Sequence, residues 1–182
     1  VATAENDPRP PAPSDDVPAA YAIRGFHSTT LALTSAQATA DVLLTPMGYR
    51  LLKQEGHRAR YTVEAGGPGT YVDLLTDPKL PRGLNGAGTV HHVAFRSPDP
   101  ESEIAARQEL LARGLHVSPV IDRAYFKSIY YREPAGVLFE IATDGPGFAI
   151  DEPLDSLGTI LGLPPHLEPH RAEIEAALPP LK

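Results

Sequence analysis

The sequence contains no cysteine, which excludes disulfides and thiolate-based metal or redox chemistry. A surplus of basic residues is missing too: 16 Lys and Arg stand against 23 Asp and Glu, for a net charge of −7. With no clustered Lys and Arg to neutralise phosphates, nucleic acid is excluded as the expected partner. No stretch approaches the roughly 18–20 consecutive apolar residues of a membrane span, so no membrane partner is expected. In the absence of a recognisable signal peptide, the cytoplasm is the expected compartment. The first residue is Val1 rather than methionine. Together with a linker-like opening, this reads as a fragment or a processed product, with tag removal or N-terminal trimming as the alternative.

What is present is enough for a real core: 42% of the 182 residues are hydrophobic. That length suits one domain or two small fused modules and excludes a large multidomain enzyme. Residues 1–22, with PRPPAPSDDVP at their centre, are too poor in large apolar side chains to offset the entropy of ordering, and read as a flexible lead-in. IRGFHSTTLAL then has the composition of a strand. Thr34 followed by Gln37 resembles a capping box opening a helix that stops near Pro46 and Gly48. YRLLKQE, RYTVEA and TYVDLL follow as three short strands between glycine-containing turns. The first module, residues 23–81, is therefore βαβββ.

The order repeats over residues 82–145. VHHVAFRS reads as a strand, and Asp99-Pro100 opens a helix with Glu101 and Glu103 in its first turn, where the helix dipole favours acids. Ile104 and Leu111 share one helical face, and Gly114 suits the C′ position. HVSPVID, YFKSIYYRE and VLFEIAT complete the module. Residues 146–182 form a Pro-rich tail with a short helix near Pro169–Leu178, where His166 and His170 read as solvated surface. The expected fold is α+β: two tandem βαβββ modules with curved mixed sheets. Laying the modules on one another places GFHSTTLAL on TVHHVAFRS and YVDLLTD on LFEIATD. His27 then matches His91, Ser28 matches His92, and Asp73 matches Glu140. Only the second module carries a His and Glu pair suited to a divalent cation, and a carboxylate flanked by Phe139 and Ile141 requires such a partner. His27 and Asp73 are expected to form a polar structural pair instead.

Paired βαβββ modules with these motifs resemble the vicinal oxygen chelate superfamily of glyoxalases, resistance proteins and extradiol dioxygenases. AIRGFHSTTL, GTVHHVAF, DRAYFKSIYYREP, LFEIATD and PGFAIDEP are similar to the C-terminal half of bacterial hydroquinone-type ring-cleaving dioxygenases. The resemblance implies Fe(II), with Mn(II) accepted by the same donors, bound by two histidines and one glutamate. His92 and Glu140 match two of these ligands; the third belongs to an N-terminal half, supplied by the same enzyme or by a partner chain. Such a face leaves open positions where a dihydroxyaromatic substrate and O2 bind side by side. The resemblance further implies that Arg123 and Tyr130 line the site as candidate catalytic residues. His91, also a candidate, should point away from the ligand face and act as support. Lys127, Tyr131 and Arg132 are weaker candidates. A homo-oligomer is compatible with all of this. The rival functions are a glyoxalase-type lyase or isomerase, using its metal as a Lewis acid, and a non-enzymatic ligand-binding module.

Overall fold

The computed structural model describes residues 7–63, 65–81, 83–84 and 86–179. The first six residues of the expected lead-in, Glu64 in the expected strand RYTVEA, Arg82 and Asn85 at the start of the expected second module, and the last three residues of the tail lie outside that set. The first module runs β1 (Ser28–Leu33), α1 (Gln37–Leu44), β2 (Arg50–Glu55), β3 (Arg58–Thr62) and β4 (Tyr71–Thr76). The second repeats it as β5 (Val93–Ser97), α2 (Pro100–Ala112), β6 (Ile121–Asp122), β7 (Lys127–Arg132) and β8 (Leu138–Thr143). Short 3-10 turns in the tail lead to α3 (Arg171–Ala177).

Each module forms an open, four-stranded mixed sheet with the same topology, β1-β4-β3-β2 and β5-β8-β7-β6. The first strand of each pairs in parallel with the last, and the last pairs antiparallel with the one before it. The duplication visible in the sequence is therefore a duplication of hydrogen-bond register.

Local chemistry explains the helix ends. Asp99 Oδ1 accepts the Ser102 amide at 2.7 Å, and Pro100 fills the first helical position of α2. Gly114, at φ +80°, ends that helix, with the Leu115 amide returning to the Leu110 carbonyl at 3.1 Å. Gly48, at φ +67°, plays the same part after α1, where the Tyr49 amide reaches the Leu43 carbonyl at 2.9 Å. The expected capping box at Thr34 does not form. Ala36 occupies the N-cap without a side-chain bond, because Gln37 turns forward and donates to Asp41 Oδ1 at 2.9 Å.

The two modules share one core. Leu31, Leu33, Val72 and Leu74 from the first sheet join Leu43 of α1, Leu110 of α2, and Ile129, Tyr131, Phe139 and Ile141 of the second sheet. Contacts cross between modules on this side: the Tyr131 hydroxyl lies 3.1 Å from Met47 Sδ, Thr39 Oγ1 donates to Glu133 Oε2 at 2.5 Å, and Tyr49 meets Phe95 edge-on. Ile104 and Leu111 do share a face of α2, but it is exposed; the core face carries Glu103, Ala106 and Leu110. HVSPVID, expected as one strand, contributes only Ile121–Asp122 and an isolated bridge from Val117 to Tyr131, since Pro119 cannot donate to a ladder. Among the described residues no helix is long and apolar enough to cross a membrane.

Candidate metal centre

Side chains alternate across a strand, so the core face of each sheet defines an opposite, outward face. In β8 the core takes Phe139 and Ile141, which turns Glu140 outward. Directly across the ladders stand Ala94 on β5 and Tyr130 on β7. His92, two residues before Ala94, falls on the same face at the mouth of β5.

These residues meet. His92 Nε2 lies 2.8 Å from Glu140 Oε2, with the glutamate side chain 4% exposed and the imidazole 34% exposed. The Tyr130 hydroxyl donates to the other carboxylate oxygen at 2.5 Å. His91 is exposed, and its Nδ1 sits 2.9 Å from His92 Nδ1. Arg123, in the turn between β6 and β7, places Nη2 3.5 Å from the Tyr130 hydroxyl and its guanidinium 5.4 Å above the tyrosine ring. All five residues singled out in the sequence therefore converge on one patch of the second sheet, including His91, expected to point away: both histidines precede β5, so strand alternation does not separate them.

The donor set fits a divalent cation. Imidazole nitrogen and carboxylate oxygen together suit Fe(II), Mn(II) or Zn(II). Two donors about 2.1 Å from a six-coordinate ion and at right angles lie about 3.0 Å apart. The 2.8 Å between Nε2 and Oε2 is close to that separation. Among the described residues no group of three His, Cys, Asp or Glu side chains is placed to hold an ion. His92 and Glu140 are two donors of the kind such an ion takes.

Weaker candidates fall elsewhere. Tyr131 is buried in the shared core, where desolvation raises its hydroxyl pKa, and it never reaches the outward face. Arg132 donates to the Gly136 carbonyl at 2.8 Å, and Lys127 is exposed at the start of β7. His170 is exposed and lies 3.4 Å from Glu173.

The first module departs from expectation at Asp73. Its partner is not His27, which packs against Tyr71 and Ser28. Asp73 is 1% exposed and held by two arginines: Arg60 Nε and Nη2 donate to its two oxygens at 2.7 and 2.8 Å, and Arg58 Nη1 donates to Oδ2 at 2.8 Å. The Arg60 bond is the main cause holding the Asp73 carboxyl below the usual carboxylate range. The alternation of Arg58, Arg60 and Asp73 on neighbouring strands was the available signal. Two further buried acids were not anticipated. Glu133 accepts the Val137 amide at 2.7 Å and the Ala135 amide at 3.0 Å, whereas neither oxygen of Glu103 has a partner among the described residues.

Comparisons with known proteins identify the family. Residues 25–141 match the family model described as the Glyoxalase/Bleomycin resistance protein/Dioxygenase superfamily. The chain is 41% identical over 178 residues to the Bacillus subtilis protein named "Putative ring-cleaving dioxygenase MhqA", covering 94% of this chain and 56% of that one. It is 33% identical over 163 residues to a chlorohydroquinone/hydroquinone 1,2-dioxygenase of Sphingobium indicum, covering 87% of this chain and 50% of that one. A solved Bacillus subtilis structure, named as a putative dioxygenase, superposes with a TM-score of 0.86 at 44% identity, over 92% of this chain and 53% of that one. The chain thus spans about half the length of the relatives it matches. On sequence and fold together, it belongs to the glyoxalase/bleomycin resistance protein/dioxygenase superfamily.

Proposed function

We propose that this chain is the C-terminal half of a ring-cleaving dioxygenase that opens hydroquinone-like aromatic rings with O2, and that His92 and Glu140 are two of the three protein ligands to its Fe(II). The observation that carries the reading is the His92–Glu140 pair, 2.8 Å apart on an outward sheet face, with Tyr130 on the second carboxylate oxygen. Support for the reaction class comes from relatives named as ring-cleaving dioxygenases, and for the substrate class from the one named for hydroquinone. The third ligand, a histidine, comes from an N-terminal half carrying its own modules. The cytoplasm is the compartment this reading assigns.

When bound, the iron supplies open coordination positions for the ring oxygens and O2. This chain's residues do the rest. A ligand imidazole must present an unprotonated Nε2, so the His92 proton resides on Nδ1 and is donated to His91 Nδ1, 2.9 Å away. His91 thereby fixes the tautomer and ring orientation of the ligand. Tyr130 holds its hydroxyl proton on Glu140 Oε1 at the edge of the site, which steadies the carboxylate's orientation. Arg123 stacks on the tyrosine ring, where its fixed positive charge favours a phenolate over a neutral phenol.

The experiment is oxygen uptake with hydroquinone by the iron-loaded, full-length form. His92→Ala or Glu140→Ala should each abolish uptake and release the iron, read by metal analysis after gel filtration. A Glu140→Ala protein that kept both iron and normal turnover would sink the ligand assignment. Turnover of methylglyoxal without oxygen consumption would replace the dioxygenase reading with the glyoxalase one.

A further inference from the structure

The matching registers of the two sheets allow a position-by-position comparison of their outward faces. Thr30 stands opposite Asp73 as Ala94 stands opposite Glu140, so Ser28 holds the place of His92. Arg60 stands opposite Asp73 as Tyr130 stands opposite Glu140, so Arg58, two residues earlier, holds the place of Ser128. In each module a nearly fully buried carboxylate sits at the same point of the same ladder. Each needs positive charge, because an ionised carboxylate is costly to bury unpaired.

The two modules meet that need differently. Glu140 has an imidazole and a neutral hydroxyl, and its charge is left to attract an external cation. Asp73 has a guanidinium bonded in parallel to both oxygens and a second guanidinium on Oδ2. This fork geometry saturates the carboxylate oxygens from which a metal would otherwise draw its bonds.

We propose that Arg60, seconded by Arg58, is a built-in cation standing at a latent metal position of the first module, and that replacing it while Ser28 is made histidine exposes a site for a first-row divalent cation formed by Asp73 and residue 28. The arginines give the buried aspartate a permanent partner, independent of metal supply. They also keep metal off the first module, so that ions entering the protein find only the second.

The test gives the first module the residues of the second, with Co(II) as the probe. All proteins carry His92→Ala, so the outcome does not depend on whether the second module binds iron. Against that background, Ser28→His/Arg58→Ser/Arg60→Tyr is titrated with Co(II) by calorimetry and visible absorption, beside the parent and the same variant carrying Asp73→Asn. The variant should bind one Co(II) at least tenfold more tightly than the parent, and Asp73→Asn should erase the gain. A folded variant with parental affinity, or a gain that survives Asp73→Asn, overturns the proposal. If the triple variant does not fold, Ser28→His/Arg60→Tyr is melted with and without Co(II). A rise in Tm on adding Co(II) that is absent from the parent supports the latent site, and equal responses overturn it.

Discussion

Two buried acids set opposite dependences on pH. Both Glu103 oxygens are shut from solvent and lack partners among the described residues, and desolvation is the main cause raising its pKa above the usual value of 4.5. A group whose pKa rises on folding favours the folded state while protonated. Its contribution is therefore present at pH values below 4.5 and is lost as pH climbs through the raised folded value. Asp73 behaves in reverse, stabilising the fold above its ordinary 3.8 and ceasing to do so as pH falls through its depressed folded value. At neutral pH Glu103 is thus the liability and Asp73 the asset. Glu103→Met should raise stability at pH 7 by about 1–3 kcal/mol, the cost of leaving a buried polar group unsatisfied. It should also flatten the decline in Tm between pH 5 and pH 8, a range chosen to lie above the ordinary glutamate value of 4.5. Thermal melts across that range check both, and a variant less stable than wild type throughout would show that Glu103 has a favourable role.

At the scale of elements, α2 is defined by its ends more than by its faces. The Asp99 carboxylate caps the Ser102 amide, and this amide bond is the leading cause lowering its pKa. Asp99→Ala should cost about 1 kcal/mol, a drop of a few degrees in Tm by calorimetry, while Asp99→Ser should recover most of it. Such signals were legible because they are local: Asp99-Pro100, Gly114 and the βαβββ order depend on residues near one another in sequence. Thr34-Gln37 looked equally local, yet Asp41 drew the Gln37 side chain away from the expected cap. The inward face of α2 could not be read from Ile104 and Leu111, because the spacing identifies a face without saying which way it turns. At the candidate site the repeat register located His92 and Glu140, since equivalent ladder positions in the two modules can be laid on one another, and Tyr130 came from the family resemblance. The arginines on Asp73 escaped notice because a sequence does not say which of several polar neighbours a buried carboxylate will choose.

For the molecule as a whole, the decisive feature is that the modules pack back to back. Tyr131, Glu133 and Phe95 meet Met47, Thr39 and Tyr49 across the shared core. Glu140 and Asp73, one residue out of phase with the core residues of their strands, lie on the other face of their own sheets. Ser28 holds the position in the first sheet that His92 holds in the second, so on duplication alone a histidine there would be the natural third ligand. The register speaks against this, because residue 28 lies on the outward face of its own sheet, on the same side as Asp73 of the first module. Nor can it make a pair with Asp73 while Arg58 and Arg60 occupy both carboxylate oxygens. Ser28→His alone should therefore change Fe(II) or Zn(II) affinity by less than about threefold, under 1 kcal/mol on a scale where about 1.4 kcal/mol is tenfold. On the proposed reading, the wild-type chain should bind weakly with its two donors, and adding in trans the N-terminal half which that reading calls for should tighten binding by tenfold or more. Calorimetric titration of metal into the wild-type chain, Ser28→His and the mixed halves separates the cases. A tenfold gain from Ser28→His alone would mean that the modules close on one another in solution and share a single site, against the back-to-back arrangement. Tight binding by the unmixed wild-type chain would mean that the second module's outward face needs no partner to complete its metal centre.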